Sequence, residues 1–388
     1  SNTLANPDKT RVKTSVGADS GGSYFRLSKK TIIGAFVNSI HIRLLYLPNE
    51  GKKNGRQTEG RVAFEKMLEA GELQAYEVFS FWDELESGLT PAEVHEKLFQ
   101  KTCSFQPHIL LWQHPTYFPV STDAICRIKQ LNPSPLIVYD ERDAYIWPQK
   151  SLPEGAKNLA RGCDVVFSSG LTTTGTLLAK AGARRVFYSP TAMDLERFAT
   201  DWSPTCDREY DVVMISSISR FRYPLLRIPG TKERYLLAEK LYQVIGNRLA
   251  VFGHGWPKRP YVKGPLDFEQ QTETIRSSWV SVCYDRCPAN AYYFSDRLPI
   301  SMMAGVAHVT NYKPGFEHLF KNGIELFYAQ NIDAMVAAVQ YILSLSIEER
   351  IAIGSAGAEY TRKNLDSKIV FRQLIQRCVE ELALRRMS

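Results

Sequence analysis

Short apolar runs alternate with amphipathic segments along most of the 388-residue chain. The pattern predicts a strand over 31–37, then a polar loop over 48–60 (PNEGKKNGRQTEG). The loop runs into a helix whose apolar residues Val62, Phe64, Met67 and Leu68 share one face. Thr90-Pro91-Ala92-Glu93 predicts a helix start, with a Thr cap, Pro at the first position and Glu three after the cap. Buried strands are predicted over 107–112, 136–139, 165–167 and 185–188, separated by helices over 122–131, 153–161 and 173–181. A polar stretch over 191–209 has no sustained period. The alternation then restarts, with strands over 211–215, 249–252 and 280–283 and helices over 232–245 and 268–277. Helices over 331–344, 347–363 and 366–386 close the chain.

Short apolar strands alternating with helices imply parallel βαβ units, because a parallel connection needs a crossover. The expected fold is therefore α/β, with two Rossmann-like domains facing across a cleft. The expected boundaries are a disordered tail over 1–29, a first domain over 30–190, a linker over 191–209 and a second domain over 210–365. A final helix over 366–388 is expected to cross back to the first domain.

The stretch 291–327 is read as loop, helix, strand, loop, helix, strand. Pro299 falls in the first turn of its first helix and Gly305 closes that helix. In an open α/β sheet this layout brings two helix N-termini and a loop to the edge where ligands settle. Unpaired N–H groups there favour an anion.

A charged content of 23% and a hydrophobic content of 44% belong to an ordinary globular protein. No apolar run reaches eighteen residues, so no spanning helix is expected. The opening SNTLANPDKT lacks the apolar core of a secretory signal. A formal charge of +7 suits anionic ligands or a membrane surface but is far from a nucleic-acid tail. Seven scattered cysteines read as free thiols of a reducing cytoplasm. Cys283 and Cys287 lack a second pair or His cluster to complete a zinc site, so no metal is expected.

Several phrases, in order, resemble one family. Tyr210-Asp211-Val212-Val213 is followed by Arg220 and Lys232-Glu233-Arg234, then by Phe252-Gly253-His254-Gly255-Trp256. Ser295-Asp296-Arg297 with Ala304-Gly305 comes next, then Lys313-Pro314-Gly315-Phe316-Glu317-His318-Leu319-Phe320. The second half thus resembles the GT-B glycosyltransferases, and among them the spore-maturation CgeB-like group. The resemblance covers about 185 to 365 and is only topological before that. It implies transfer of a sugar from a nucleotide diphosphate-sugar donor, held by the second domain, to an acceptor on the first. It implies no cofactor and no metal. One departure stands out: Ile300 occupies the place where many relatives carry a glutamate for the donor ribose.

Such a reaction loads negative charge onto a leaving diphosphate, which preorganised donors must hold. The candidate donor-binding residues are Arg220, Lys232, His254, Gly255, Arg297, Gly315, Phe316 and Glu317. Amides of Gly315 and Phe316 would face the diphosphate, and Arg220, Lys232 and Arg297 would clamp it. Candidate bases for the acceptor hydroxyl are Asp140 and His114, each ending a predicted strand, and Glu59 in the Gly-rich loop. Two of them also have a structural reading: Asp140 as a salt bridge with Arg142, His114 as a turn residue before Pro115. Alternatives are a nucleotide-sugar epimerase of the same fold, a glycosyltransferase acting on DNA, and a non-catalytic nucleotide-sugar-binding protein.

Overall fold

The computed structural model describes residues 42–51, 55, 57–148, 150–198, 207–218 and 229–387. The strand expected over 31–37, the tail over 1–29 and Arg220 lie outside the described residues.

The first half runs β1 (Arg43–Leu47), α1 (Thr58–Glu69), β2 (Ala75–Val78), α2 (Phe81–Glu86), α3 (Pro91–Phe105) and β3 (Ile109–Gln113). It continues with α4 (Thr122–Lys129), β4 (Leu136–Glu141), α5 (Glu154–Gly162), β5 (Val165–Ser168), α6 (Thr173–Ala181) and β6 (Val186–Tyr188). Its six strands are parallel, in the order β2-β1-β3-β4-β5-β6. Helices cover both faces of such a sheet, so its central strands are apolar throughout. All of β3 and β4 is buried, the carboxylates Asp140 and Glu141 at the end of β4 included. Thr90 caps α3 as its sequence predicts. Its hydroxyl accepts from the Glu93 amide at 3.3 Å, and its own amide donates to Glu93 Oε2 at 2.7 Å.

The short α7 (Leu195–Phe198) falls inside the stretch read as linker. The second half runs β7 (Tyr210–Ile215), α8 (Thr231–Ile245), β8 (Leu249–Phe252), β9 (Val262–Gly264), α9 (Gln271–Arg276) and β10 (Ser278–Cys283). Then come α10 (Arg297–Met303), β11 (Ala307–Asn311), α11 (Phe316–Leu319), β12 (Phe327–Ala329), α12 (Ile332–Ser344), α13 (Ile347–Asn364) and α14 (Ser367–Arg386). Read from its other edge, the second sheet is β9-β8-β7-β10-β11-β12, again parallel throughout. Counted from β7 this is the 3-2-1-4-5-6 order of a dinucleotide-binding sheet.

Both sheets lie in one compact unit. The chain passes between the halves twice, and the two passages run side by side. Met193 donates its amide to Leu365 O at 2.8 Å, and the Ser367 amide donates to Met193 O at 2.8 Å. The last helix, α14, lies against α1 of the first half. The Phe64 and Phe371 rings meet edge-on at 5.0 Å, and Arg372 pairs with Glu72 at 2.7 Å. No helix among the described residues is long and apolar enough to cross a membrane.

Candidate active site

In an open parallel sheet, ligands bind outside the carboxyl ends of the two strands from which the order runs in opposite directions. In the second sheet these are β7 and β10, which pair through Val213 and Ser281. A cavity of about 450 Å3 lies there. From the second half its lining includes Ser217 after β7, Asp285 and Arg286 after β10, Arg234 on α8 and Arg297 opening α10. From the first half it includes Asp143, Ile146 and Lys150, which follow β4. In the first sheet the strands are β1 and β3. Gln113, the last residue of β3, lines a second cavity of about 520 Å3 together with Glu59, Arg142 and Phe268. Asp296 lines both cavities.

The first cavity is an arginine cluster fastened from behind. Arg234 is 2% exposed and bridges the two strand ends, donating Nε to Tyr284 O and Nη1 to Ser217 O, each at 2.8 Å. Lys313 is wholly buried, donates to the Arg286 carbonyl and lies over the Tyr293 ring at 4.8 Å. Burial pulls the pKa of Lys313 down, and the Asp285 charge opposes this. Asp285 accepts from Ser295 N at 2.9 Å and Ser295 Oγ at 2.7 Å, which fixes the loop leading into α10. Burial would raise the pKa of Asp285, but the Lys313 charge and the Ser295 bonds hold it below the usual carboxylate range.

The guanidinium of Arg286 is held below its ordinary pKa by burial and then by the charges of Arg234 and Arg297. Three like charges therefore share one pocket. For Arg297, burial is outweighed by the nearby Asp296, Cys283 and Asp285, and its pKa rises. Among the described residues its side chain has no hydrogen-bond or ion-pair partner.

The anticipated residues are dispersed differently. Arg297 lines the first cavity. Lys232 is exposed and lines neither cavity; Arg234, two residues on, is the one that turns inward. The signal for Arg234 was its place on the buried face of α8 with Leu237, Ala238 and Leu241. An arginine at a core position of a helix wants a partner or a ligand.

His254 is exposed and lines neither cavity, though its amide donates to Ser217 Oγ at 3.1 Å. Gly255 is required where it stands. Its φ is +82°, and a Cβ would sit 1.9 Å from Ile218 O. The loop after β8 is thereby pressed onto the loop after β7, where Ser217 lies.

Gly315, Phe316 and Glu317 line neither cavity. Gly315 has φ +91° and is covered by the Tyr292 ring. The Phe316 amide donates to Lys313 O at 3.1 Å, and its ring is core. Glu317 is exposed and accepts from Tyr312 Oη at 3.1 Å; its own backbone N–H keeps its pKa low. The four-residue α11 follows directly on the buried Lys313. Ile300 is buried among Met303, Ala304 and Val306, so its side chain is core.

Of the three candidate bases, Asp140 is 1% exposed and paired with Arg142 at 2.8 Å. His114 lies behind the first cavity, with Nδ1 2.8 Å from Glu141 and Nε2 3.7 Å from Asp143. Burial opposes its protonation, but the Glu141 carboxylate prevails and raises its pKa. Glu59 alone of the three lines one of these cavities. Its pKa is raised, chiefly by burial, with Asp194 and Asp296 adding to the effect.

Sequence alone did not single out Arg286, Asp285, Ser217, Asp143 or Lys150. Each follows a strand end, but which strand ends converge depends on strand order.

No curated protein sequence matches the chain significantly. Several solved structures match its fold. Anabaena HepE in complex with UDP is 12% identical, with a TM-score of 0.54, over 86% of this chain and 99% of that one. A glycosyltransferase from Rickettsia africae is 11% identical, with a TM-score of 0.56, over 89% and 99%. A candidate UDP-N-acetylglucosamine 2-epimerase from Listeria monocytogenes is 12% identical, with a TM-score of 0.50, over 87% and 95%. Two Rossmann-like halves facing across a cleft are the GT-B fold, and residues 233–376, which carry all three arginines of the cluster, match the family described as glycosyl transferase-like.

Proposed function

We propose that this protein is a glycosyltransferase that moves a sugar from a nucleoside diphosphate-sugar donor to an acceptor hydroxyl. The observation that carries the reading is the convergence of Arg234, Arg286 and Arg297 at the β7–β10 crossing point. Three guanidiniums that repel one another are stabilised by an anion placed among them, and a diphosphate matches their forked donors. Breaking the anomeric C–O bond leaves its electron pair on the diphosphate. Held donors are worth most at that moment; losing one costs about 3 kcal/mol of barrier. HepE has been crystallised with UDP and with UDP-glucose, which supports a uridine nucleotide as the first donor to try.

In this reading the donor domain spans 210–365 and the acceptor domain 30–190, joined by 191–209, with 366–388 returning to the acceptor domain. Glu59 is the best placed of the anticipated bases. The CgeB-like group remains the proposed subfamily on the phrases quoted above. The described cysteines are all free, in keeping with a cytoplasmic protein.

The Listeria neighbour gives some weight to a second reading, epimerisation of a nucleotide sugar. Product analysis separates the two: a transferase gives UDP and an acceptor that carries the sugar, whereas an epimerase gives the isomeric nucleotide sugar, or UDP with the free epimeric sugar, and leaves any acceptor unchanged.

The direct test is thermal unfolding with UDP, GDP, dTDP and their glucose derivatives. A ligand at a hundred times its Kd stabilises by about 2.7 kcal/mol. A rise in Tm with at least one of them, reduced by Arg297→Ala, is expected. No rise with any of them, or a full rise in the variant, overturns the reading.

A further inference from the structure

The second cavity differs from the first in chemistry. Instead of an arginine cluster it presents two carboxylates, Glu59 and Asp296, beside Gln113, Arg142 and the ring of Phe268. The Gln113 carboxamide is fixed, because its oxygen accepts from Tyr46 Oη at 2.9 Å and the Asn49 amide at 3.1 Å. Its nitrogen is thus the group left to donate. Arg142 binds Asp140 through Nε at 2.8 Å and Pro190 O through Nη1, while its buried Nη2 has no hydrogen-bond partner among the described residues. Arg197, the remaining cation in the lining, is paired with Glu269. Phe268 carries the Arg197 guanidinium over its ring at 4.8 Å and meets Phe198 edge-on at 5.6 Å, yet it is 36% exposed, so part of its ring surface is still open to solvent.

In the second cavity two carboxylates are balanced by two cations, Arg142 and Arg197, each already ion-paired with a carboxylate, whereas the first gathers Lys150 and three arginines against three carboxylates; the second therefore offers an anion no net attraction. Interspersed donors and acceptors beside an aromatic face suit a neutral ring bearing hydroxyls. We propose that the second cavity binds a neutral sugar ring, free or at the end of a glycan, as the acceptor. Its apolar C–H face lies on Phe268, and its hydroxyls meet Glu59, Gln113 and Arg142. Asp296, shared with the first cavity, marks where donor and acceptor meet. This rests on the first cavity being the donor site. The acceptor oxygen bonds to the anomeric carbon, the bond from that carbon to the diphosphate breaks, and its electron pair leaves on the diphosphate. The hydroxyl proton passes to the Glu59 carboxylate.

The test is saturation-transfer NMR on the full chain with methyl α- and β-glycosides of glucose, galactose, mannose and N-acetylglucosamine, with and without UDP. Glucose 6-phosphate serves as the anionic comparison. At least one glycoside should give signal that UDP does not displace. Phe268→Ala and Glu59→Gln should each cut that signal at least fivefold and leave the UDP-induced rise in Tm in place. The proposal is overturned if no glycoside binds, if UDP displaces it, if both variants keep the signal, or if glucose 6-phosphate binds better than methyl glucoside. Absence of a UDP effect alongside an intact, variant-sensitive glycoside signal would instead sink the donor reading and leave a sugar site.

Discussion

The side-chain amide of Asn290 donates to Thr174 Oγ1 at 3.0 Å, joining the loop after β10 to the start of α6 in the other half. Both residues are wholly buried. Thr172 completes the clasp, accepting from the Ala291 amide at 2.8 Å and donating to Ala289 O at 2.6 Å. Gly170 leaves room for it, since a Cβ there would come within 2.2 Å of Asn290 Nδ2. The clasped loop also bears Asp285, Arg286 and Ser295, so the cleft and the donor pocket are built on one segment.

Asn290→Ala should therefore weaken two properties together. Leaving buried partners unsatisfied costs about 1–3 kcal/mol. Differential scanning calorimetry should show a lower Tm, and calorimetric titration a weaker UDP affinity. A lower Tm with unaltered affinity would show that the clasp does not hold the arginine pocket.

Among the described residues Arg297 has no hydrogen-bond or ion-pair partner to lose. Its replacement by Ala should leave the unfolding midpoint without ligand nearly unchanged. A hydrogen bond to a charged group is worth about 1.5–3 kcal/mol, so UDP affinity should fall roughly tenfold or more. UMP, with one phosphate fewer, should lose less. Equal losses for UDP and UMP would place Arg297 away from the β-phosphate.

Glycine substitutions can separate backbone strain from close approach. Gly246 has φ +68° and open space around its missing Cβ, whereas Gly255 has φ +82° and Ile218 O at 1.9 Å. Gly246→Ala should cost about 1–3 kcal/mol from the left-handed backbone alone. Gly255→Ala should cost more and also lower UDP affinity, because the displaced loop carries Ser217. Urea unfolding and UDP titration of both variants decide it. Similar losses, with UDP binding intact in each, would mean that the β7 and β8 loops accommodate the clash without disturbing the site.

Local features were legible in the sequence and convergent ones were not. The Thr90–Glu93 cap was readable because both partners lie within four residues. The buried strands β3 and β4 were readable because every residue in them is core. β1 and β2 were missed: Arg43 heads the apolar run of β1, and β2 (AYEV) carries Glu77 and is half-buried throughout. The phrase around Gly315 was read as a diphosphate cradle. Whether its amides face a ligand depends on Tyr292, which covers Gly315 from the separate loop after β10. Glu59 on α1 and the β10–α10 loop that bears Arg286 and Asp296 lie in opposite halves of the chain, and only the fold brings them to one cleft.

His308 provides a pH-dependent test of the second sheet. It sits in β11, 1% exposed, with Nδ1 3.3 Å from Ser281 Oγ and Nε2 without a hydrogen-bond partner among the described residues. Burial depresses its pKa to about 4, although the Asp285 charge opposes the shift. The unfolded chain would protonate this imidazole near pH 6.5. Between those values the unfolded state binds the extra proton, so stability rises with pH and is lost on acidification. The loss begins as pH falls through about 6.5 and is complete below about 4, amounting to roughly 3 kcal/mol from this group. His308→Leu removes the titrating group and keeps an apolar filler of similar size. Urea unfolding of both proteins at intervals from pH 7.5 to 4.5 should give a gap that shifts steadily toward the variant as pH falls. A gap independent of pH would mean that His308 is protonated or solvated in the folded sheet.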